Sequence, residues 1–455
     1  SDYTNRVVMS LMYQGLFAVD SKNNTTPILC SQYQVTPDNR TWTIYLEPNA
    51  TFSDGTRVTV QDVVASYEQA RQNVYYKGRF THIARVELSS DGGVDFFLDT
   101  PYQNLALLLD IPIVKASEVP ADTPLGTGPY SLEDGIGGKH LQRVVGWWCS
   151  SDDLVAKDSS IALVEAESPS QIRDEFEFSG LSVVCTNPQT DSYADYRCDF
   201  ELWEVDSGFM MYIGCNVTYS KFFDDGTLRT FLTYGIDRQT LVDDNYGGLA
   251  LPTTLPISPM SPYYSKSLAT NYDYDEMRFI DAASKFRVPT NDKGVPRTLQ
   301  LLVNSDDSAR LRCARNIAAT LTELGLACET VESPTSVYEA RLQAANYDIY
   351  LGITKLPTTA DLSEFYRPWG EMSWGGLANE TIYNMVNQSL ADRGNYYNLH
   401  KLVADDGRII PVMAGYYAIY AKRGVLSDLN PARDNVFYYT LGKTMESSKV
   451  ATQFS

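Results

Sequence analysis

The sequence predicts an α/β protein with more than one domain. Segments with the two-residue period of a strand alternate with segments that have helical periodicity, which is typical of α/β folds. The chain has 455 residues, whereas a single hydrophobic core stops growing at about 250–300 residues. Apolar residues make up 44% of the sequence and charged residues 21%, a balance typical of globular proteins. Two or more domains are therefore expected.

The first hundred residues read mainly as strands around one helix. Residues 7–20 form an apolar segment that ends in a turn, and residues 41–52 alternate like a half-buried strand. Residues 59–72 have the periodicity of a helix, and Thr59 is placed to cap it. Residues 85–99 contain two alternating runs joined at Asp-Gly-Gly, which predicts a hairpin.

Strands and helices continue to alternate along the rest of the chain. Residues 222–248 are expected to be helical and to end at a Gly-Gly pair, and residues 308–325 form a second amphipathic helix with Gly325 after its end. The proline-rich residues 251–264 are expected to be extended. Further strands are predicted at residues 181–185, 199–205, 297–304, 326–332 and 347–353.

Composition excludes several classes of partner and cofactor. The formal net charge of −20 argues against nucleic acid, which such a surface would repel. The seven cysteines form no C-x-x-C pair, and the three histidines, His82, His140 and His400, lie far apart in the sequence. A zinc ribbon or a multi-histidine metal site is therefore not expected, and we predict no cofactor.

The motifs of common enzymes are absent from the sequence. It has no G-x-S-x-G, no G-x-x-x-x-G-K-[ST] and no H-E-x-x-H. The nearest glycine-rich segment, residues 125–130 (LGTGPY), lacks a third glycine and reads as a turn that enters a strand. Acidic pairs such as Asp224 and Asp225 are expected to lie in solvent-exposed turns rather than to act as catalytic carboxylates. We therefore predict that the protein is not an enzyme.

Two pairs of cysteines could form disulfides if the protein is exported. Cys185 and Cys198 lie on or beside neighbouring predicted strands, and Cys313 and Cys328 lie on a helix and the strand after it. Buried free thiols are the alternative for both pairs.

Five segments, taken in order, resemble the family 5 extracellular solute-binding proteins of ABC importers, which include oligopeptide-, dipeptide- and nickel-binding members. Each segment is weak evidence by itself, but together they extend over more than half of the chain. They are residues 11–17 (LMYQGLF), 42–64 (with FSDGTRVTVQDVV), 125–130 (LGTGPY), 228–238 (LRTFLTYGIDR) and the proline run at 252–263.

The resemblance implies a two-lobed periplasmic-binding-protein fold of the Venus flytrap kind (class II, cluster C), with an extra subdomain on the first lobe. Lobe I would comprise residues 1–30, 141–210 and 418–455, with the extra subdomain at residues 31–140. Lobe II would comprise residues 211–417. The hinges would be the strands at 209–213 and 411–417.

The resemblance also implies a function. The protein would be an exported receptor, lipid-anchored by a segment absent from this chain, that binds a peptide or similar small organic solute by closure of its lobes. It would act as a monomer and deliver the solute to the permease subunits of an ABC importer. Two alternatives stay open: a sensory receptor of the same fold, and a receptor for a glycan or a metal chelate.

The resemblance suggests ligand-binding residues in both lobes. Tyr13 and Gln14 lie in a segment that faces the ligand in relatives. Tyr416 and Tyr417 lie at the second crossover, with core packing as the alternative.

The loop at residues 352–365 (GITKLPTTADLSEF) departs from the pattern of peptide-binding relatives. Alignment of its DLSEF with their D-P-x-x-F places Thr358 where they have an aspartate that pairs with the peptide amine, and Lys355 at their tryptophan. Asp361 or Glu364 could anchor an amine instead, and Lys355 could meet an anionic group. The alternatives are a solvated loop lysine for Lys355 and a helix N-cap for Asp361.

Overall fold

A computed structural model of the chain shows two compact units, Ser1–Asp206 with Tyr416–Ser455, and Ser207–Gly415. The structure describes residues 3–119, 121–149, 158–166, 168–178, 180–189, 196–426, 429–437 and 450–452. The chain passes from one unit to the other twice, each time within a long strand. The assignment of lobes, extra subdomain and hinges given above stays a prediction.

The first unit combines short helices with three groups of strands. In chain order its elements are α1 Tyr3–Met12, β1 Phe17–Val19, β2 Thr25–Pro27, β3 Cys30–Val35, β4 Thr41–Leu46, α2 Val60–Gln72, β5 Ile83–Leu88, β6 Val94–Leu98, β7 Tyr130–Gly135, β8 Gly138–Arg143, β9 Ser160–Glu165, α3 Pro169–Phe178, β10 Val183–Thr186 and the start of β11 Phe200–Cys215. Single 3₁₀ turns form at Lys77–Arg79, Leu105–Leu108 and Ala116–Glu118.

The second unit contains most of the helices. Its elements are the end of β11, then α4 Thr227–Phe231, α5 Arg238–Tyr246, β12 Leu251–Pro252, α6 Lys266–Ala269, α7 Glu276–Lys285, β13 Leu299–Asn304, α8 Ser308–Glu323, β14 Cys328–Ser333, α9 Thr335–Gln343, β15 Ile349–Lys355, α10 Ser363–Tyr366, α11 Glu380–Ala391, α12 Tyr396–Asp406 and the start of β16 Ile409–Lys422. The end of β16 and β17 Val450–Thr452 belong to the first unit.

Within each unit the strands pair in the following orders. In the first unit, β3, β4, β6 and β5 pair in that order as an antiparallel sheet, β1 pairs with β2, and a mixed sheet has the order β16-β10-β17-β9-β8-β7. In the second unit the order is β14-β13-β15-β11, with β13 parallel to both of its neighbours and β15 antiparallel to β11. Parallel strands joined through helices confirm the α/β class predicted from the alternation.

Several local predictions are confirmed. The helix α2 begins after Thr59, whose hydroxyl accepts a hydrogen bond from the Asp62 N–H while the Asp62 carboxylate accepts one from the Thr59 N–H at 2.7 Å. This reciprocal pair is a capping box. The hairpin of β5 and β6 is antiparallel, and α8 occupies the predicted position before Gly325, which has a φ of 98°.

Two local predictions are wrong. The apolar residues at the start of the chain form α1 rather than a strand, because Tyr3, Val7 and Leu11 are spaced by four residues and are buried on one helix face. Residues 222–248 are not one helix: Gly226 in the left-handed conformation (φ 70°) precedes α4, and Asp237 caps a separate α5. Both residues favour a helix start over a helix interior.

The loop at residues 125–130 is packed against the end of α1. The Gly128 N–H donates to the Met12 carbonyl at 2.8 Å. A Cβ atom at Gly126 would lie 2.2 Å from that same carbonyl oxygen. The glycines of this motif therefore allow a close backbone contact that fixes the segment after α1.

In the part of the chain that the structure describes, no helix is long and apolar enough to cross a membrane.

We expect Gly126→Ala to lower the denaturant midpoint of the chain, because the new methyl group overlaps the Met12 carbonyl and such overpacking costs about 1–3 kcal/mol. The matched control is Gly137→Ala, where a Cβ atom meets nothing within 4 Å. Urea unfolding followed by circular dichroism measures both. Equal midpoints for the two variants would contradict the proposed contact.

Candidate functional site

A buried ion-pair network lies beside α1 in the first unit. The Arg79 guanidinium bonds the carboxylates of both Asp110 and Asp434, and the Arg6 Nε lies 3.6 Å from an Asp434 oxygen. All four side chains are at most 8% exposed. Buried charges are stable only when they are paired, so this network depends on all of its members.

The two carboxylates accept further hydrogen bonds. The Tyr75 hydroxyl donates to Asp434 at 2.6 Å, and the Asn435 amide donates to Asp110 at 3.0 Å. Burial tends to lower the pKa of Arg79, but the attraction of Asp110 and Asp434 outweighs it, so its pKa is raised. The guanidinium therefore stays charged, while burial and the neighbouring Asp434 raise the pKa of Asp110 although the attraction of Arg79 opposes this shift.

Aromatic rings cover the Arg6 side of the network. The Arg6 guanidinium carbon lies 4.1 Å from the centre of the Tyr75 ring and 5.1 Å from that of Tyr417. Tyr417 in turn stacks on Tyr3 with a centroid separation of 3.9 Å. A cation over aromatic faces is stabilised when water is excluded.

A small recess opens beside this network. Its volume is about 30 Å³, roughly enough for two water molecules. Its lining combines α1, the segment after it and the network, and includes Arg6, Met9, Tyr13, Gln14, Asp110 and Asn435. Met9 and Asn435 are part-exposed.

Gln14 is the unusual member of this lining. Its side chain is buried, with 4% exposure, and neither Oε1 nor Nε2 has a hydrogen-bond partner among the residues that the structure describes. Its neighbour Gly15 is needed for the close approach of the chain at Asp110, since a Cβ there would lie 2.8 Å from the Asp110 backbone. A buried unpaired amide costs stability, so Gln14 is an unfavourable residue for the packing of this segment.

The structure brings three of the predicted site residues into this region. Tyr13 and Gln14 both line the recess, while the Tyr13 hydroxyl donates to the Pro124 carbonyl at 2.8 Å. Burial, aided by Glu118, raises the pKa of Tyr13 to about 12. Tyr417 packs in the core with α1, and Tyr416 is its buried neighbour on β16. The role of all four in ligand binding stays a prediction.

The other predicted residues lie in the second unit, on and after β15. Lys355 is exposed and is the last residue of the strand, opposite Phe209 on β11. Thr358 is part-exposed, and the Asp361 carboxylate accepts a hydrogen bond from the Ser363 N–H at 2.8 Å, at the first turn of α10.

Glu364 stabilises the loop that follows α10. Its carboxylate pairs with Arg367 at 2.7 Å and accepts the Glu371 N–H at 2.8 Å. These bonds close a short loop that contains Trp369. The side chain of Trp369 is 96% exposed, and its φ is 62°. Sequence reasoning did not single out this exposed tryptophan.

His400 is a fully buried base on α12. Neither ring nitrogen has a hydrogen-bond partner among the described residues. Its ring centre lies 5.8 Å from that of Tyr396, whose hydroxyl donates to the Thr359 carbonyl. Burial lowers the pKa of His400 to about 3, so the ring is neutral at physiological pH.

The cysteines of the two possible pairs differ in burial, with Cys185 and Cys313 buried and Cys198 and Cys328 part-exposed. Cys198, Cys313 and Cys328 are free thiols in the structure, so neither possible disulfide, with Cys185 or between Cys313 and Cys328, is formed. Burial raises the pKa of Cys313 and of Cys328 to about 12, which makes both thiols weak nucleophiles. Among the described residues, no group of three or more His, Cys, Asp or Glu side chains could hold a metal ion.

Sequence reasoning missed the ion-pair network. Its members come from positions as far apart as residues 6 and 434, and no local pattern connects them. One signal was available: Arg6 stands in the otherwise largely apolar α1 next to Val7 and Val8. A charged residue within an apolar helix face needs a buried partner.

The chain is similar to bacterial solute-binding proteins in sequence. A family model described as bacterial extracellular solute-binding proteins, family 5 Middle, matches residues 24–376. The glutathione-binding protein GsiB of Escherichia coli (strain K12) is 25% identical over 295 residues, which cover 60% of this chain and 56% of that protein. The match thus spans little more than half the length of that relative.

Solved structures of the same kind share the fold. The oligopeptide-binding protein AppA from Bacillus subtilis, in complex with a nonapeptide, has a TM-score of 0.65 at 16% identity, over 96% of this chain and 93% of that one. NikA from Brucella suis, in complex with Fe(III)-EDTA, has a TM-score of 0.72 at 16% identity, over 95% and 94%. These likenesses confirm the predicted two-lobed fold class.

We expect Gln14→Met to stabilise the ligand-free chain by about 1 kcal/mol, because it removes a buried unpaired amide and keeps an unbranched side chain of similar length. Gln34→Met, at an exposed position on β3, is the control and should have little effect. Urea midpoints measure both variants. A lower midpoint for Gln14→Met would show that the amide is satisfied in the native protein.

We expect the neutral His400 to make the second unit less stable in acid. The unfolded chain takes up a proton near its ordinary pKa of about 6.5, whereas the folded chain does so only near about 3. Stability therefore falls as pH drops below about 6.5, by up to about 1.4 kcal/mol per pH unit from this residue.

The test compares urea midpoints of the native chain and His400→Leu between pH 7 and pH 4. The other titratable groups are the same in both proteins, so the difference isolates His400. A shallower decline for His400→Leu is expected, and parallel declines would contradict this explanation.

Proposed function

Because the chain belongs to family 5 of the bacterial extracellular solute-binding proteins, we propose that it is an exported receptor that binds a small organic solute and delivers it to the permease subunits of an ABC importer. The observation that carries this proposal is the family match over residues 24–376, more than half of the chain. The shared fold supports it. Closure of the lobes on the solute, attachment to the membrane by a lipid anchor and a monomeric state are parts of the same proposal.

The protein acts, in this proposal, by binding alone. Members of the family are named for solute binding rather than for catalysis. The ion-pair network of the first unit is consistent with binding without catalysis, since Arg79, Asp110 and Asp434 are paired with one another. A catalytic acid or base needs a proton that it can exchange at its working pH, whereas these groups are fixed in ion pairs.

A peptide is our first candidate for the solute. It is supported by GsiB, a glutathione-binding protein, and by AppA, which was solved with a nonapeptide. A metal chelate is the second candidate, supported by NikA with Fe(III)-EDTA. A glycan, or a sensory receptor that signals the presence of its ligand, remains a further alternative.

Asp361 and Glu364 of the second unit are the acidic residues of this loop that could bind the ammonium group of a peptide. Thr358 replaces the amine-binding aspartate expected from the resemblance. Asp361 already accepts a backbone N–H, and Glu364 is paired with Arg367. A peptide ammonium would have to compete with these bonds, so we propose that the loop recognises a group other than an amine. The exposed Lys355 suits an anionic group.

We expect Lys355→Ala to weaken the binding of an anionic solute by about tenfold, the loss of one charge-assisted hydrogen bond of about 1.4 kcal/mol. A thermal-shift screen with short peptides, chelates and oligosaccharides first finds the solute class, since ligand that binds only the folded chain raises its melting temperature. Titration calorimetry then compares the variants.

Lys293→Ala, at an exposed position of the same unit, is the matched control and should bind like the native chain. Equal affinity of Lys355→Ala and the native chain for the anionic solute would contradict a ligand-binding role for Lys355. The receptor proposal itself fails if no solute class shifts the melting temperature.

A further inference from the structure

The exposed tryptophan of the second unit carries an inference about the solute. Trp369 lies in the loop of residues 367–373 (RPWGEMS), directly after α10. Its side chain is 96% exposed, but single exposed apolar side chains are common on protein surfaces. The backbone of Trp369 is the more informative feature. Its φ of 62° lies in the left-handed region, which bulky residues rarely adopt because it is strained.

Hydrogen bonds and close packing impose this backbone on Trp369. The Glu371 N–H donates to the Glu364 carboxylate at 2.8 Å, and the Met372 N–H donates to the Glu364 carbonyl at 3.1 Å. Gly370 approaches the same carbonyl so closely that a Cβ atom there would lie 2.2 Å from its oxygen. The residues around Trp369 therefore hold it in a conformation that the tryptophan itself disfavours.

The base of the loop is packed on the sheet of the second unit. The Phe365 ring lies edge-on to that of Tyr212 on β11, with a centroid distance of 5.1 Å. The Trp374 ring lies edge-on to that of Tyr350 on β15, at 5.9 Å. A flat ring presented on such a fixed support loses little conformational entropy when a ligand covers it. Trp369 is thus a preorganised contact residue.

The position of the loop favours the solute as the group that covers this ring. Thr358, Asp361 and Glu364, which are predicted to bind the solute, precede Trp369 in the same connection between β15 and α11. Glu364 also bonds the loop directly. Backbone strain is retained mainly at functional sites such as ligand clamps.

We infer that Trp369 is a stacking residue for the solute and that the solute carries an uncharged ring with an apolar face. This inference rests on the proposed receptor function. An indole ring stacks on other aromatic rings, and its flat face also covers the C–H face of a sugar ring. An aromatic side chain of a peptide and a sugar ring are therefore the two sources of such a group.

The experiment compares the native chain with Trp369→Asn. Asparagine tolerates the left-handed backbone better than tryptophan does, so the urea midpoint of the variant should equal or exceed that of the native chain. Titration calorimetry then uses four probes: Ala-Phe-Ala, Ala-Leu-Ala, Ala-Lys-Ala and cellobiose. Ala-Phe-Ala or cellobiose should bind the native chain, and its Kd should rise about tenfold in Trp369→Asn because the stacking partner is lost.

Two further variants serve as controls. Trp369→Phe keeps an aromatic face and should restore most of the affinity. Tyr397→Ala removes another exposed aromatic side chain of the same unit, 48% exposed on α12, and should bind like the native chain. The probe that binds, Ala-Phe-Ala or cellobiose, identifies which source supplies the ring.

The inference is overturned if neither ring-bearing probe binds, or if Trp369→Asn binds them like the native chain. It is equally overturned if the variant loses affinity only for Ala-Lys-Ala, which would make the indole a cation site. A urea midpoint well below the native value would show that the ring supports the fold instead. Each failure concerns Trp369 alone, because the thermal-shift screen of whole solute classes tests the receptor function separately.

Discussion

The bond network of Arg79 constrains the first unit more than any other interaction described above. It joins a 3₁₀ turn at residues 77–79 to Asp110 and to Asp434, a separation of 355 residues along the chain. Breaking one member of a buried ion pair leaves an uncompensated charge that costs about 3–5 kcal/mol. Helix α1 is fastened to the same network through Arg6, and its other face packs on β10, where the Thr4 hydroxyl donates to the Cys185 carbonyl at 2.6 Å. The position of the segment after α1 follows from these contacts.

The fixed position of the segment after α1 explains why the polar side chain of Gln14 is buried where an apolar side chain would be more stable. The close approaches at Gly15 and Gly126 hold the chain on both sides of Gln14. Its amide is buried without a hydrogen-bond partner among the described residues. Natural proteins keep such costly groups mainly where function requires them. A role of Gln14 in ligand binding stays a prediction.

The sequence predicted what local chemistry determines. The capping box of Thr59 and Asp62 and the hairpin turn before β6 are both encoded within a few residues. The nature of α1 was missed because an apolar run fits either a strand or a buried helix when burial is unknown. The ion-pair network depends on tertiary contacts between distant positions, so the sequence could indicate a buried partner for Arg6 but not which residues form the network. The family resemblance located Tyr13 and Gln14, but only the structure showed that the amide of Gln14 is unpaired.

Native mass spectrometry tests the central claim, that this chain is a receptor for a small solute, most directly. The chain is incubated with the small-solute fraction of a bacterial cell extract, exchanged into volatile buffer and measured without denaturation. Our account predicts a one-to-one adduct with an organic solute that is released intact when the chain is unfolded. A spectrum with only the mass of the bare chain, or release of a chemically altered solute, would contradict it.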